Sequence, residues 1–564
     1  MTMPSKFYEQ LSHEGKVLVD QAMEAMTPSY DPEEGLIGRT RNGKKLYSHR
    51  TSMYYALGLM LQGKEGHVEK TEKIIRGVAA MQVDAPGEIF HGAFVEGGRL
   101  PLVYNALDFK RLGPYARYYM DCFYEKMADG FRLHLEDDPE LAPHAAKIEK
   151  YLNKATSEVV PLVWASYDPN MREFNMMSFA MLLEHFSDEL SPECIELIDH
   201  TCQLAMEGAV ARSKENFTPL NTNIQCMHTF LLDYFGTRWN RPDYCEYAIE
   251  YGKRVVDKYL QYHSAAEFNS PTYCGVDLAT LGFWQRYTSN DTLKELGKIL
   301  EEGIWNDMME SYNPAMQNFC GPYSRAYELD MAVHTCFHAL FYYALGEETF
   351  PEHPVNCETP CDVLMVFGGV NMPQSAKDAV FAEKKDVVIT HQFRELSERG
   401  DPANNDALCT ATSWISPDLM TGAIAGSENP SHQLHPLVVF WRGKESLGTI
   451  KVLRSYPNGD MQHMHYIYFN GKADREHLTL DVDFQVNRDV KLYFEIEYPG
   501  ICESADITAD KWTLPGLTVQ MDAKAPEFFL EKSENGRILK VCYLSQARIK
   551  DTKQMHFDMQ LKLG

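Results

Sequence analysis

Residues 355–362, "VNCETPCD", divide a chain of 564 residues into two parts with different hydrophobic periods. Upstream, "SMYYALGLMLQ" (52–62), "FNMMSFAMLLEHF" (174–186), "CEYAIEYGKRVVDKYLQY" (245–262) and "TLKELGKILEEGIWNDMM" (292–309) repeat apolar residues at i, i+3, i+4 and i+7. That spacing paints one face of a helix. "ELDMAVHTCFHALFYYALG" (328–346) continues the series and closes on a glycine, a helix stop signal. Downstream of about residue 375 the period falls to two, as in "LTLDVDFQV" (478–486), "VKLYFEIEYP" (490–499) and "MHFDMQLKL" (555–563), with Gly, Asn and Pro turns between. Runs of helices followed by runs of strands predict separate domains.

The helical part has a spacing of its own. Helices beginning near Phe174, Thr222, Gly275 and Glu328 are about fifty residues apart, each followed by a second helix. This is the pattern of stacked helical hairpins. Open solenoids carry a short consensus of about 34 to 47 residues, and none is visible, which favours a closed ring. The expected fold is multidomain, α then β. An (α/α) toroid of hairpins spans residues 1–345, a connector 346–375, and a mainly antiparallel β-sandwich domain 376–564.

Composition narrows the function classes. The chain holds 54 Lys plus Arg against 80 Asp plus Glu, a net charge of -26, which argues against binding duplex nucleic acid. No apolar run reaches membrane-spanning length and the first twenty residues lack a signal-peptide core, so no membrane partner is expected. The 13 cysteines are scattered in apolar contexts, as reduced cysteines are, and the chain reads as cytoplasmic. A homo-oligomer stays open.

The loops before the four helices carry the chemistry: "ASYDPNMREFN" (165–175), "NFTPLNTN" (216–223), "AEFNSPTYCGVD" (266–277) and "NFCGPYSRAYELD" (318–330). Each holds a proline and an Asn or Asp near the helix start, as capping requires. Capping does not account for His228, Tyr273, Arg325 and Tyr327. Loops of equal phase in a ring meet at one end, so these residues are expected to share a cavity with Asn221, Asn223, Glu267, Asn269, Asp277 and Asp330. His91, in "GEIFHGAFVEGG" (87–98), and His49 with Arg50 are candidates for its rim. Amides and aromatic rings suit a sugar, and an arginine suits its carboxylate. No phosphate loop, Rossmann fingerprint or serine elbow is present, and no cofactor is expected.

A helical toroid followed by a β-sandwich resembles several polysaccharide lyase and glycoside hydrolase families. In the toroid lyases an Asn or Gln neutralises a uronate, a His or Tyr removes the C5 proton, a Tyr donates to the leaving oxygen and an Arg assists. The order Asn223, His228, Tyr273, Arg325 is similar, without an adjacent Asn-His pair. The resemblance implies β-elimination from a uronic-acid-containing oligosaccharide, with Tyr327 counted among the catalytic residues and Asn221, Asn269, Glu267, Asp277, Asp330 and His91 binding substrate. The alternative is a hydrolase using two of Glu267, Asp277, Glu328 and Asp330, with carboxyls roughly 6.5–9.5 Å apart for inversion or about 5–5.5 Å for retention. A non-catalytic carbohydrate binder or scaffold is the third reading. His432, His435, His463 and His465 are considered as metal ligands, but strand alternation separates them and no metal site is expected. Trp414 and Trp441 are expected in the β core.

Overall fold

The structure is a computed structural model. It describes the chain except residues 1–3, 42–43, 88–89, 96–134, 136, 160–167, 216–220, 266, 334–335, 348, 351–352, 396–406, 445, 462–463 and 465. Glu96, His463 and His465 therefore lie outside the described residues.

Helices dominate as far as residue 381. α1 Lys6–Gln10 and α2 His13–Met26 lead to a small antiparallel sheet of Tyr30–Asp31, Leu36–Arg41 and Lys44–Ser48. There follow α3 His49–Gln62, α4 His67–Ala79, α5 Ala145–Val159, α6 Met171–Phe186, α7 Pro192–Glu215, α8 Thr222–Arg238 and α9 Pro242–Tyr262. The series ends with α10 Pro271–Tyr287, α11 Asp291–Ser311, α12 Phe337–Leu345, α13 Asp362–Gly368 and α14 Gln374–Phe381. Each of α3, α6, α8 and α10 packs against the helix that follows it, α4, α7, α9 and α11 respectively. The first members also pack on one another in the order α3, α6, α8, α10, and α13 touches both α10 and α3.

Burial separates the two sets of helices. On α6 every residue from Arg172 to Leu183 is buried, and on α10 every residue from Pro271 to Trp284 except Val276. On α9 burial follows a single stripe through Tyr244, Ala248, Tyr251, Val255 and Tyr259. A helix surrounded by other helices is apolar on most sides, whereas an outer helix keeps one apolar face. Trp284, wholly buried, donates its indole N–H to the Cys226 carbonyl at 2.8 Å and ties α10 to α8. Between α10 and α13 the backbones touch. A Cβ on Gly282 would lie 2.5 Å from the Gly368 carbonyl oxygen, and one on Gly368 would lie 2.6 Å from that of Ala279.

A helix expected near Glu328 begins at Phe337 instead. The backbone around the expected start is engaged elsewhere: Tyr323 pairs with His435, Ser324 N–H donates to the Phe268 carbonyl, Ala326 N–H donates to that of Gln433, and inside the expected helix the Leu329 carbonyl and the Met331 N–H both bond the Asn318 side chain. Backbone donors held by another segment cannot join an i to i−4 ladder.

From Val387 onward the chain forms one large antiparallel sheet. Alternation places Leu478, Leu480, Val482 and Phe484 inside and leaves Asp481 exposed between them. The sheet curls on itself: Phe494 packs against Trp512 and Phe557, which lie several strands away along the sheet order. Trp441 and Trp414 belong to this core. Among the described residues no helix is long and apolar enough to cross a membrane.

The facing glycines of α10 and α13 give the first prediction. Gly282→Ala should cost about 1–3 kcal/mol by overpacking against a backbone carbonyl, read as a fall in denaturation midpoint. Gly77→Ala on α4 meets only the flexible end of Leu36, and the better helix propensity of alanine should keep it within about 1 kcal/mol of wild type.

Candidate active site at the seam of helices and sheet

The side chains that converge most closely are Glu267, Tyr273, Arg325 and Gln433. Ser270 caps α10 by accepting the Tyr273 N–H at 3.1 Å, and its hydroxyl donates to the Arg325 carbonyl at 2.5 Å. One serine thus starts the helix and fixes the neighbouring loop. Arg325 donates to the Glu267 carboxylate at 2.9 Å and to the Gln433 side-chain oxygen at 2.5 Å. Its guanidinium lies 4.3 Å from the centre of the Tyr273 ring, and the Tyr273 hydroxyl donates to the same Gln433 oxygen at 3.4 Å. Tyr327, 43% exposed, brings its ring to 6.0 Å from that of Tyr273. Glu267 is buried while Arg325 remains partly open to solvent.

Burial raises the Tyr273 hydroxyl well above its ordinary pKa, and the Arg325 charge offsets part of that rise. The phenol is therefore protonated near neutral pH. Asp277, one turn further along α10, is wholly buried with neither oxygen hydrogen-bonded. Burial, then the Glu267 charge, pushes its pKa well up, so the carboxyl is protonated. His432 is exposed beside Gln433, and desolvation together with the Arg454 and Arg325 charges lowers its pKa, which leaves it neutral.

Other sequence candidates are placed differently. His228 points to the outer helices: Nε2 lies 3.1 Å from the Ser213 hydroxyl, and its ring meets Tyr247 and Tyr251 edge-on. Its Nδ1 lies 3.6 Å from Glu173, and burial lowers its pKa to about 3. Asn223 accepts the N–H of Ile224 at 2.7 Å, and Asn221 stands at the start of α8. Asn269, at φ 54, directs its amide N–H groups to the carbonyls of Cys320 and Pro322 at 2.7 and 3.0 Å. It braces the loop that carries Arg325. Asp330 is exposed and accepts the Ala332 N–H. His91 bonds Glu207 at 3.0 Å and the Ala85 N–H, on the side of α7. Nε2 of His435 donates to the Ala326 carbonyl at 3.0 Å. Gln433 carries no local sequence signal, because its partners Arg325 and Tyr273 are 108 and 160 residues away.

A second polar cluster lies inside the helices. Glu173 is wholly buried without a hydrogen bond, and burial, offset by Arg212 and Arg172, raises its pKa to about 7. Asn175 and His49 meet at 3.0 Å on the opposite side of α6, and burial lowers His49 to about 4. Arg50 stacks over Phe174 at 5.0 Å.

A family model described as "Domain of unknown function (DUF8769)" matches residues 16–118 and 147–363, together more than half of the chain. No curated protein matches. Among solved structures the chain is similar to the crystal structure of heparan sulfate lyase HepC from Pedobacter heparinus. That likeness has 9% sequence identity and a TM-score of 0.29, over 98% of this chain and 88% of that one.

Glu173 supplies a stability prediction. Its folded pKa is raised from 4.5 to about 7, so the unfolded chain ionises first as pH rises and the folded state loses stability across that window. Glu173→Gln keeps the shape of the neutral acid and removes the titration. The variant should gain roughly 3 kcal/mol on wild type between pH 4.5 and pH 7, measured by denaturant unfolding. Parallel stability curves would refute the assignment.

Proposed function

The chain belongs to the family described as "Domain of unknown function (DUF8769)", a description that assigns no activity, and we propose one from the site: cleavage of a glycosidic bond in a uronic-acid-containing oligosaccharide by β-elimination. The observation that carries this reading is the protonated Tyr273 phenol stacked under Arg325, which Glu267 holds in place. We read the helical hairpins over residues 1–345 as an (α/α) toroid with α13 closing it across the connector 346–375. The curled sheet over 376–564 is read as a β-sandwich.

The chemistry assigns each group a task. Arg325 meets the uronate carboxylate and stabilises the enolate that forms as the C5 proton leaves. His432, neutral and beside Gln433, takes that proton. The C4–O bond breaks, a C4–C5 double bond forms, and Tyr273 gives its proton to the departing oxygen. Solvent then returns the imidazolium proton to the phenolate. Tyr327 offers an exposed ring for stacking a neighbouring sugar, and Asn221 lies at the same helix end.

One observation favours a second reading. Glu267 and Asp277 are two buried carboxyls whose surroundings differ, one facing Arg325 and the other held neutral. Such a division is how a hydrolase separates its base from its acid.

The test is Tyr273→Phe on an oligouronate that the wild type turns over, followed by the ultraviolet absorbance of the new double bond. Turnover should fall by roughly 100- to 10,000-fold with KM little changed. Near-normal turnover removes Tyr273 from the mechanism. Reducing ends produced without absorbance transfer the assignment to Glu267 and Asp277.

A further inference from the structure

His49 and Arg50 are not among the residues that meet around Tyr273, and the structure gives them neighbours of their own. Both lie on the first turn of α3, which Ser48 caps by accepting the Thr51 N–H at 3.3 Å. They meet the consecutive residues Phe174 and Asn175 of α6, one against one. The Arg50 guanidinium lies 5.0 Å from the centre of the Phe174 ring, and the Asn175 side-chain nitrogen lies 3.0 Å from His49 Nδ1. Two contacts between adjoining helices thus hold these four side chains in one patch.

Much of the hydrogen-bonding capacity of this patch is unused. Asn175 directs its amide N–H groups to His49 Nδ1 and to the Met171 carbonyl, the latter at 2.9 Å. A carbonyl only accepts, so the atom facing it is the nitrogen and the side-chain oxygen is the one left over. That oxygen is buried and accepts no hydrogen bond. Because His49 accepts on Nδ1, its proton sits on Nε2, and burial lowers its pKa to about 4, so the ring is a neutral donor. Nε2 has no partner among the described residues. Arg50 is half-buried and makes neither a hydrogen bond nor an ion pair among the described residues. Burial opposes its charge, but Tyr54, Glu358, Cys361 and Asp168 outweigh burial and keep the guanidinium charged. The acids Glu358 and Asp168 act from beyond ion-pair distance, so the Arg50 donors stay vacant.

We propose that this patch binds an acidic sugar, a ring bearing a carboxylate and hydroxyl groups, through Arg50, His49 and Asn175. A carboxylate accepts two parallel N–H groups from one guanidinium, and the start of α3 favours the same negative charge. A buried acceptor left empty is unfavourable. The Asn175 oxygen therefore calls for a donor, which a bare carboxylate lacks and a sugar hydroxyl supplies. The His49 N–H serves a second hydroxyl oxygen. The site stands whether or not Tyr273 turns a substrate over.

Ligand-observed NMR titration of the full chain with glucuronate, glucose and acetate tests it. Glucuronate should bind with a Kd of about 1 mM, and glucose and acetate at least about tenfold more weakly. Arg50→Gln should weaken glucuronate by about tenfold or more. Arg50→Lys, which keeps the charge and loses the planar fork, should weaken it by about threefold or more. Thermal unfolding of both variants, at a midpoint close to that of wild type, checks that they fold. Tyr273→Phe should leave the Arg50-dependent binding unchanged, which separates this site from the assignment of Tyr273. Absence of glucuronate binding by the wild type, or binding that neither Arg50 variant weakens, overturns the proposal. Acetate bound as tightly as glucuronate also overturns it, because the site would then recognise charge without the sugar.

Discussion

The contact on which the arrangement depends is the pair between Arg325 and Glu267, 2.9 Å long and nearly closed to solvent on the glutamate side. A buried carboxylate is costly unless it is paired and hydrogen-bonded, and removing one partner of such a pair typically costs about 3–5 kcal/mol. The pair joins the loop before α10 to the loop 58 residues later, and the second donor of Arg325 reaches Gln433 in the β domain. One guanidinium therefore unites three segments. Its planar fork suits this work in a way a lysine ammonium would not, because two directions are satisfied at once.

Around that pair the structure accumulates the support that a fixed side chain needs. Asn269 holds two carbonyls of the loop leading to Arg325, and Asn429 donates to the Ser324 carbonyl from the β side. Arg454 donates to the carbonyls of Asn429 and Ser431, steadying the turn that presents Gln433. Glu395 accepts from Ser427 and from the Glu428 N–H just before that turn. The polar groups at the seam thus form a continuous frame, and a ring stacked beneath a guanidinium inside such a frame loses little further freedom when a ligand arrives.

The helical interior contrasts with this seam. Glu173, Asp277 and His228 each keep at least one side-chain atom buried without a hydrogen bond. Their pKa values shift toward the neutral forms because an isolated charge in an apolar interior is unfavourable. Acids driven upward weaken the fold as pH rises through the range between their unfolded and folded pKa values, whereas imidazoles driven downward strengthen it, because the folded state binds more protons than the unfolded chain in the first case and fewer in the second.

Much of this architecture was legible in the chain. The shift from a helical period to a strand period near residue 375 marks the real change from helices to antiparallel sheet, because periodicity reports which side of each element meets a core. The helix starts near Phe174, Thr222 and Gly275 correspond to α6, α8 and α10, since caps and apolar spacing are local properties. Glu267, Tyr273 and Arg325 stand together, and their residue types in neighbouring loops drew attention to them. Gln433 did not, because a lone glutamine in a β loop has no local signature. The tertiary structure alone decided that residues 323–326 pair with the β domain and not with a helix. It also turned His228 toward Ser213 and Glu173, and made Asn269 a brace. Those outcomes rest on contacts between residues from 15 to more than 100 positions apart, as for His228 with Ser213 and for Ala326 with His435, which are 109 apart. A sequence specifies the donors and acceptors at each position, and only the packed chain determines which of them meet.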